Sequence, residues 1–121
     1  MDKNKKLGIN TTCVHVGEVK DEQFKGAVSP IYMSTSYAFD NVDVKRYPRY
    51  YNTPNQEMLC KKIAALENTE DALIFSSGMA AISSAMLAFL KRGDHVVIQH
   101  VIYGGTYNFI VSEFDKYGIE Y

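Results

Sequence analysis

Apolar residues are unevenly spread along this chain. Leu, Ile, Val and Phe supply 11 of residues 1–54 but 20 of residues 55–121, so the first stretch reads as an extended arm and the second as a packed core. All three prolines (Pro30, Pro48, Pro54) fall in the first stretch. At the junction, Thr53-Pro54-Asn55-Gln56 is a helix start: Thr can cap, Gln can reach back, and Pro suits the first helical position. Leu59, Ile63 and Leu66 follow at helical spacing, and Asn68-Thr69-Glu70-Asp71 ends the helix. Ala72-Leu73-Ile74-Phe75 is a continuous apolar run, the pattern of a strand buried on both faces. Past the turn Ser76-Ser77-Gly78, a second helix carries Met79, Ile82, Met86, Phe89 and Leu90 on one face, with Lys91-Arg92-Gly93 as its C-terminal stop. His95-Val96-Val97-Ile98 reads as a second buried strand. A third helix after Tyr103-Gly104-Gly105-Thr106 presents Ile110, Phe114 and Tyr117 and stops at Gly118, and Ile119-Glu120-Tyr121 starts a third strand.

Strands alternating with helices imply βαβ units and a largely parallel sheet, so the fold class is α/β. Two strands and a stub cannot cover three amphipathic helices. The pattern therefore predicts a truncated chain, or one completed by a partner.

Composition narrows the classes of function. Leu, Ile, Val and Phe together make 31 of 121 residues, enough to exclude general disorder. Thirteen basic against fourteen acidic residues leave no electrostatic footprint for nucleic acid or an anionic membrane. The charge-free helical stretch Gly78 to Leu90 is too short to span a bilayer, and no apolar run follows the basic residues at the start, so no signal peptide is read. Cys13 and Cys60 form neither a disulfide framework nor a zinc motif. No metal site is expected, and a reduced, cytoplasmic setting fits this usage.

Ligands of open α/β sheets sit beyond the carboxyl ends of the strands, which directs attention to two turns. In Phe75-Ser76-Ser77-Gly78-Met79-Ala80, small residues leave helix-start N–H groups open to a phosphate. The turn lacks a Walker lysine and the GxGxxG spacing, and an ordinary turn that needs Gly for packing reads the same way. In Tyr103-Gly104-Gly105-Thr106-Tyr107, paired glycines leave an aromatic ring at the mouth of the sheet. Tyr103 can stack on a planar ligand and exchange a proton, or simply cap the core edge. In the arm, Tyr47-Pro48-Arg49 places a phenol and a guanidinium two residues apart. In an extended segment they share a face and can reach one phosphate; a solvated arginine beside packed tyrosines is the plainer alternative. Lys45, Lys61, Lys62 and Lys91 read as solvated. Cys13, His15, Cys60, His95 and His100 read as structural.

Six blocks in register then carry a resemblance over nearly the whole chain. They are Thr12 to Gly17, Gly26-Ala27-Val28-Ser29-Pro30-Ile31-Tyr32 with Ser34 to Tyr37, Leu66-Glu67, Ala72 to Ile82, Gly93 to Val97, and Tyr103 to Tyr107. The chain resembles the N-terminal portion of the pyridoxal-phosphate (PLP) enzymes of cysteine and methionine metabolism: cystathionine γ-synthase, cystathionine lyases, O-acetylhomoserine sulfhydrylase and methionine γ-lyase. The resemblance implies the start of a fold type I, aspartate-aminotransferase-like large domain over 55–121. It also implies an arm over 1–54 that contributes to a neighbouring subunit of a homo-oligomer, a dimer of dimers.

It implies further that Ser77, Gly78 and Met79 hold the cofactor phosphate, that Tyr47 and Arg49 reach the same phosphate from the neighbour, and that Tyr103 stacks on the pyridine ring and moves protons. The expected cofactor is PLP. The expected substrate is a sulfur amino acid or an O-acyl-homoserine, undergoing β/γ-elimination or γ-replacement. The family's cofactor-bearing lysine matches no lysine here, so the chain alone is expected to be inactive. Pro48 stands where the family has Ser or Thr, and Tyr51-Asn52-Thr53-Pro54-Asn55 replaces its "GNPT". Methionine γ-lyases usually carry Cys at the position of Gly105, which counts against that activity. A non-catalytic truncated α/β module, binding phosphate or a protein partner, is the alternative.

Overall fold

A computed structural model describes residues 7–121. The chain forms two compact units that divide between Ile74 and Phe75.

The first unit contains helix α1 (Ile9–His15), a short 3-10 helix (Pro48–Tyr50) and helix α2 (Pro54–Glu67). Helix α2 starts as its sequence predicts: the Gln56 side-chain oxygen accepts from the Thr53 N–H at 3.2 Å and from the Thr53 hydroxyl at 2.8 Å, and Pro54 takes the first position. Asn68 ends the helix in the left-handed conformation. The buried face differs from the predicted one. Cys60 and Ala64 are buried, whereas Leu59, Ile63 and Leu66 are exposed. Helix α1, which the pattern does not predict, packs on α2. Gly17 makes this approach possible: its φ is +82°, and a Cβ there would lie 2.5 Å from the Met58 carbonyl oxygen. Glu18 then pairs with Lys62 of α2 at 2.8 Å and accepts from the Ser29 N–H at 2.7 Å. Lys62 is therefore ion-paired and half-buried rather than solvated.

The second unit holds helix α3 (Gly78–Phe89) and helix α4 (Gly104–Tyr117), which pack together. Ser77 caps α3, its hydroxyl oxygen accepting from the Ala80 N–H at 3.0 Å. The stop of α3 is Leu90 in extended conformation, so Gly93 (φ +89°) shapes the following turn rather than capping the helix. Helix α4 ends in a Schellman motif: Gly118 is left-handed, its N–H bonds Asp115 O at 3.1 Å, and the Ile119 N–H bonds Phe114 O at 3.0 Å. Ile119 and Phe114 accordingly meet in the core with Ile110. Phe114 is fully buried, with the rings of Phe109 and Tyr121 edge-on at 5.8 Å and 6.0 Å. Met86, Leu90, Val96, Ile98 and Ile102 close around this cluster. Phe89 and Tyr117 of the predicted stripes are exposed.

Strand pairing among the described residues amounts to one parallel bridge, His95 with Glu120. Val96 N–H donates to Glu120 O, and Glu120 N–H to Asp94 O, both at 2.9 Å. The parallel sense and the third strand's start are as the sequence implies. The predicted buried strands at 72–75 and 95–98 are not buried on both faces: Leu73 is 64% and Val97 90% exposed. A run buried on both faces needs neighbours to pair its backbone and cover its sides, and the described residues supply too few. No helix among the described residues is long and apolar enough to cross a membrane.

Candidate functional site

Ser77, Gly78, Met79 and Tyr103 all belong to the second unit, and packing of α3 on α4 brings their two turns together. Because the Ser77 hydroxyl takes Ala80 N–H and its carbonyl takes Ala81 N–H, the first two donors of α3, on Gly78 and Met79, have no partner among the described residues. These are the groups a helix start offers to an anion, aligned with the positive end of its dipole. A Cβ on Gly78 would meet nothing within 4 Å, so the space in front of the turn is open.

Met79 is the link to the second turn. Its sulfur accepts from the Thr106 hydroxyl at 3.7 Å, and Thr106 is buried in the first turn of α4. The Tyr103 ring lies over Gly105. A Cβ on Gly105 would stand 2.6 Å from Tyr103 Cε1 and 3.2 Å from the Met79 sulfur. Gly105 therefore lets the ring fold back toward the helix start whose donors are free. The ring is 71% exposed, and its hydroxyl has no partner among the described residues. An open pair of N–H donors with an exposed aromatic face beside them suits a planar ligand that carries a phosphate.

Tyr47 and Arg49 lie in the first unit. The segment is not extended as predicted. Tyr47 is extended (φ −154°, ψ 136°), but Pro48–Tyr50 is a 3-10 turn, so the alternation that would put both side chains on one face does not apply. The Tyr47 ring meets Tyr50 edge-on at 5.3 Å. Arg49 is exposed, and its guanidinium has no partner among the described residues. Arg46, three residues earlier, is the opposite case: Nη1 pairs with Glu57 at 2.7 Å and also donates to the Asn52 carbonyl. One arginine holds the loop and the other is available.

The remaining candidates read as structural. Cys60 is buried, and burial followed by the charge of Asp71 pushes its thiol up, away from the reactive thiolate. Cys13 and His15 are exposed on α1. Lys91 follows the end of α3, and Lys116, in the last turn of α4, pairs with Glu113 at 3.0 Å. Sequence reasoning misses Thr106, which ties the two turns together, and the loop-holding side chains Arg46 and Asn52. Only the Tyr103-Gly104-Gly105 spacing signals the close approach at Gly105.

The chain matches the family described as "Cys/Met metabolism PLP-dependent enzyme" over residues 10–121. It is 38% identical to an L-methionine gamma-lyase of Fusobacterium nucleatum subsp. polymorphum, covering 96% of this chain and 32% of the relative. It is 40% identical to a cystathionine gamma-synthase of Mycobacterium tuberculosis, covering 94% and 30%. Among solved structures, metB from Corynebacterium glutamicum superposes with a TM-score of 0.87 at 35% identity, over 96% of this chain and 31% of that one. A cystathionine gamma-lyase from Lactobacillus plantarum gives a TM-score of 0.82 at 27% identity, over 94% and 30%. The chain thus spans about a third of the length of these relatives. The fold is the N-terminal part of fold type I, and the family's cofactor is PLP. Overall identity does not separate the lyases from the synthases.

Proposed function

The chain belongs to the Cys/Met metabolism PLP-dependent enzyme family, and from that premise we propose that it supplies the phosphate cradle and one ring face of the active site. The observation that carries this is the convergence of two turns through Met79: free N–H groups on Gly78 and Met79, with the Tyr103 ring folded over Gly105 beside them. Gly78 and Met79 N–H donate to the cofactor phosphate, and the Ser77 hydroxyl keeps the helix start ordered by capping it. Tyr103 stacks on the ring, excludes water from that face, and can hold or pass a proton at its phenol oxygen. Bound PLP supplies an electron sink for a carbanion at the α-carbon of an amino-acid substrate.

The arm, residues 1–54, serves a neighbouring subunit of a homo-oligomer, where Arg49 gives a bidentate, charge-assisted pair to the phosphate with Tyr47 beside it. Residues 55–121 begin the cofactor domain. The lysine that carries the cofactor comes from outside these residues. Lys91 and Lys116 sit at the far ends of α3 and α4, roughly 18–21 Å along helices of 12 and 14 residues from the turns that open them. The reaction is β/γ-elimination or γ-replacement on a sulfur amino acid or an O-acyl-homoserine, in the cytoplasm.

The test is PLP-dependent turnover of cystathionine or O-acetylhomoserine by the assembled enzyme, with none from the 121 residues alone. Oxo-acid release by the 121-residue chain contradicts the lysine assignment, and an assembled enzyme that neither retains PLP nor turns over either substrate favours a non-catalytic module. Mixing Arg49→Ala with Gly78→Pro subunits tests the crossing arm. Recovered activity in the mixture is expected, because one site of each mixed dimer escapes both defects. No recovery despite demonstrated subunit exchange assigns Arg49 to its own chain's site or to none.

A further inference from the structure

Asn52 stands three residues beyond Arg49, and its side chain makes both hydrogen bonds that fix the backbone entering the 3-10 turn. Nδ2 donates to the Lys45 carbonyl at 2.7 Å, and Oδ1 accepts from the Tyr47 N–H at 3.0 Å. Tyr51, in the left-handed conformation (φ 56°), turns the chain so that Asn52 comes back to residues 45–47. The Asn52 carbonyl accepts from Arg46, which is itself paired to Glu57 of α2. Gln56 of α2 donates to the Pro48 carbonyl at 3.1 Å.

The turn itself is weak. Its own bonds are Tyr50 N–H to Tyr47 O at 2.8 Å and Tyr51 N–H to Pro48 O at 3.2 Å, and three residues of 3-10 helix do not persist unaided. A side-chain amide that donates to residue 45 and accepts from residue 47 gives this segment the backbone pairing that no strand provides among the described residues. Asp would keep the acceptor without the donor, and Ala would keep neither. Within this clasp, the Arg49 guanidinium and the Tyr47 hydroxyl are left without partners among the described residues.

We propose that Asn52 is a positioning residue for phosphate recognition: by locking residues 45–47 it presents Tyr47 and Arg49 in a fixed turn, so that less ordering remains to be done when the phosphate binds. The inference rests on the reading of Tyr47 and Arg49 as phosphate partners and adds what holds them.

The experiment follows PLP dissociation from the holoenzyme, with hydrogen exchange across residues 45–52, in Asn52→Ala, Arg49→Ala and their double variant. Glu18→Gln, which breaks an ion pair elsewhere in the same unit, is the control for general destabilisation. Asn52→Ala is expected to speed PLP loss about tenfold, the scale of two lost neutral hydrogen bonds, with faster exchange at the Tyr47 amide. The double variant is expected to lose PLP faster than Arg49→Ala by much less than the roughly tenfold effect of Asn52→Ala, because only Tyr47 is then left to be misplaced. Glu18→Gln is expected to lose it at the wild-type rate. Wild-type PLP retention in Asn52→Ala beside rapid loss in Arg49→Ala overturns the inference, as do effects that multiply in the double variant. If Asn52→Ala does not fold, Asn52→Ser takes its place, with the same expected acceleration and the same overturning results. Unchanged retention in Arg49→Ala alone overturns the phosphate reading and the inference with it.

Discussion

The two units of this chain are held by different forces. In the second, Ile110, Phe114 and Ile119 form a small apolar core locked by the Schellman motif that ends α4. In the first, the buried side chains among the described residues are Thr53, Cys60 and Ala64, and order comes from polar clasps. Glu18 joins Lys62 and Ser29, Asn55 pairs its amide with both backbone groups of Tyr32, Arg46 joins Glu57, and Asn52 spans residues 45–47. Apolar contacts are non-directional and tolerate repacking, whereas a clasp fixes one backbone conformation and fails when one partner goes. The site follows the same division. In the proposed reading, main-chain donors at the start of a packed helix hold the phosphate of their own subunit, and a side chain on a clasped loop serves a neighbouring one.

The largest loss of stability is expected at Phe114. In the assembled enzyme, Phe114→Ala should cost about 3–5 kcal/mol, read as a fall in the urea midpoint, because a fully buried ring is lost from a core of few residues. A midpoint near wild type would mean that the core does not hold the second unit. Gly17→Ala should cost about 1–3 kcal/mol, since a side chain there meets both a positive φ and the Met58 carbonyl. Thermal melting that leaves Gly17→Ala indistinguishable from wild type would refute the close packing of α1 on α2.

The smallest effect is on acid stability. The Lys62 ammonium, with Ser29 hydrogen bonds, holds Glu18 down to about 2 from the ordinary carboxylate value. Its contribution is therefore complete above about pH 4.5 and is lost as pH falls toward about 2. Melting temperatures of wild type and Glu18→Gln should differ at neutral pH and converge through that window. A difference undiminished from neutral pH down to about pH 2 would show that the clasp is not electrostatic.

Much of this division can be read in the sequence, and the failures are of one kind. Thr53, Pro54 and Gln56, the stop at Gly118, and the Ser77–Met79 and Tyr103 turns are local signals, and the structure has a helix start, a helix end or a turn at each; that Ser77 caps α3 is added by the structure. The errors concern context. Leu59, Ile63 and Leu66 have the spacing of a buried stripe, yet Cys60 and Ala64 are the residues covered, because burial depends on which neighbour arrives. Leu73 and Val97 have strand character without enough strands beside them. Lys62 is called to an ion pair by Glu18, 44 residues away, and no local pattern announces such a partner. The Pro48–Tyr50 turn hides behind a proline that reads equally well as extended chain.

Gly78→Pro in the assembled enzyme tests the central claim most directly. Proline at the first position of α3 removes one N–H and little else: Ser77 before it is extended (φ −157°, ψ 159°), and the space in front of residue 78 is open. The apo form is expected to melt no lower than wild type, while PLP dissociates roughly 10- to 100-fold faster, the scale of one hydrogen bond to a charged group. A Gly78→Pro enzyme that holds PLP as tightly as wild type would contradict the cradle at the start of α3.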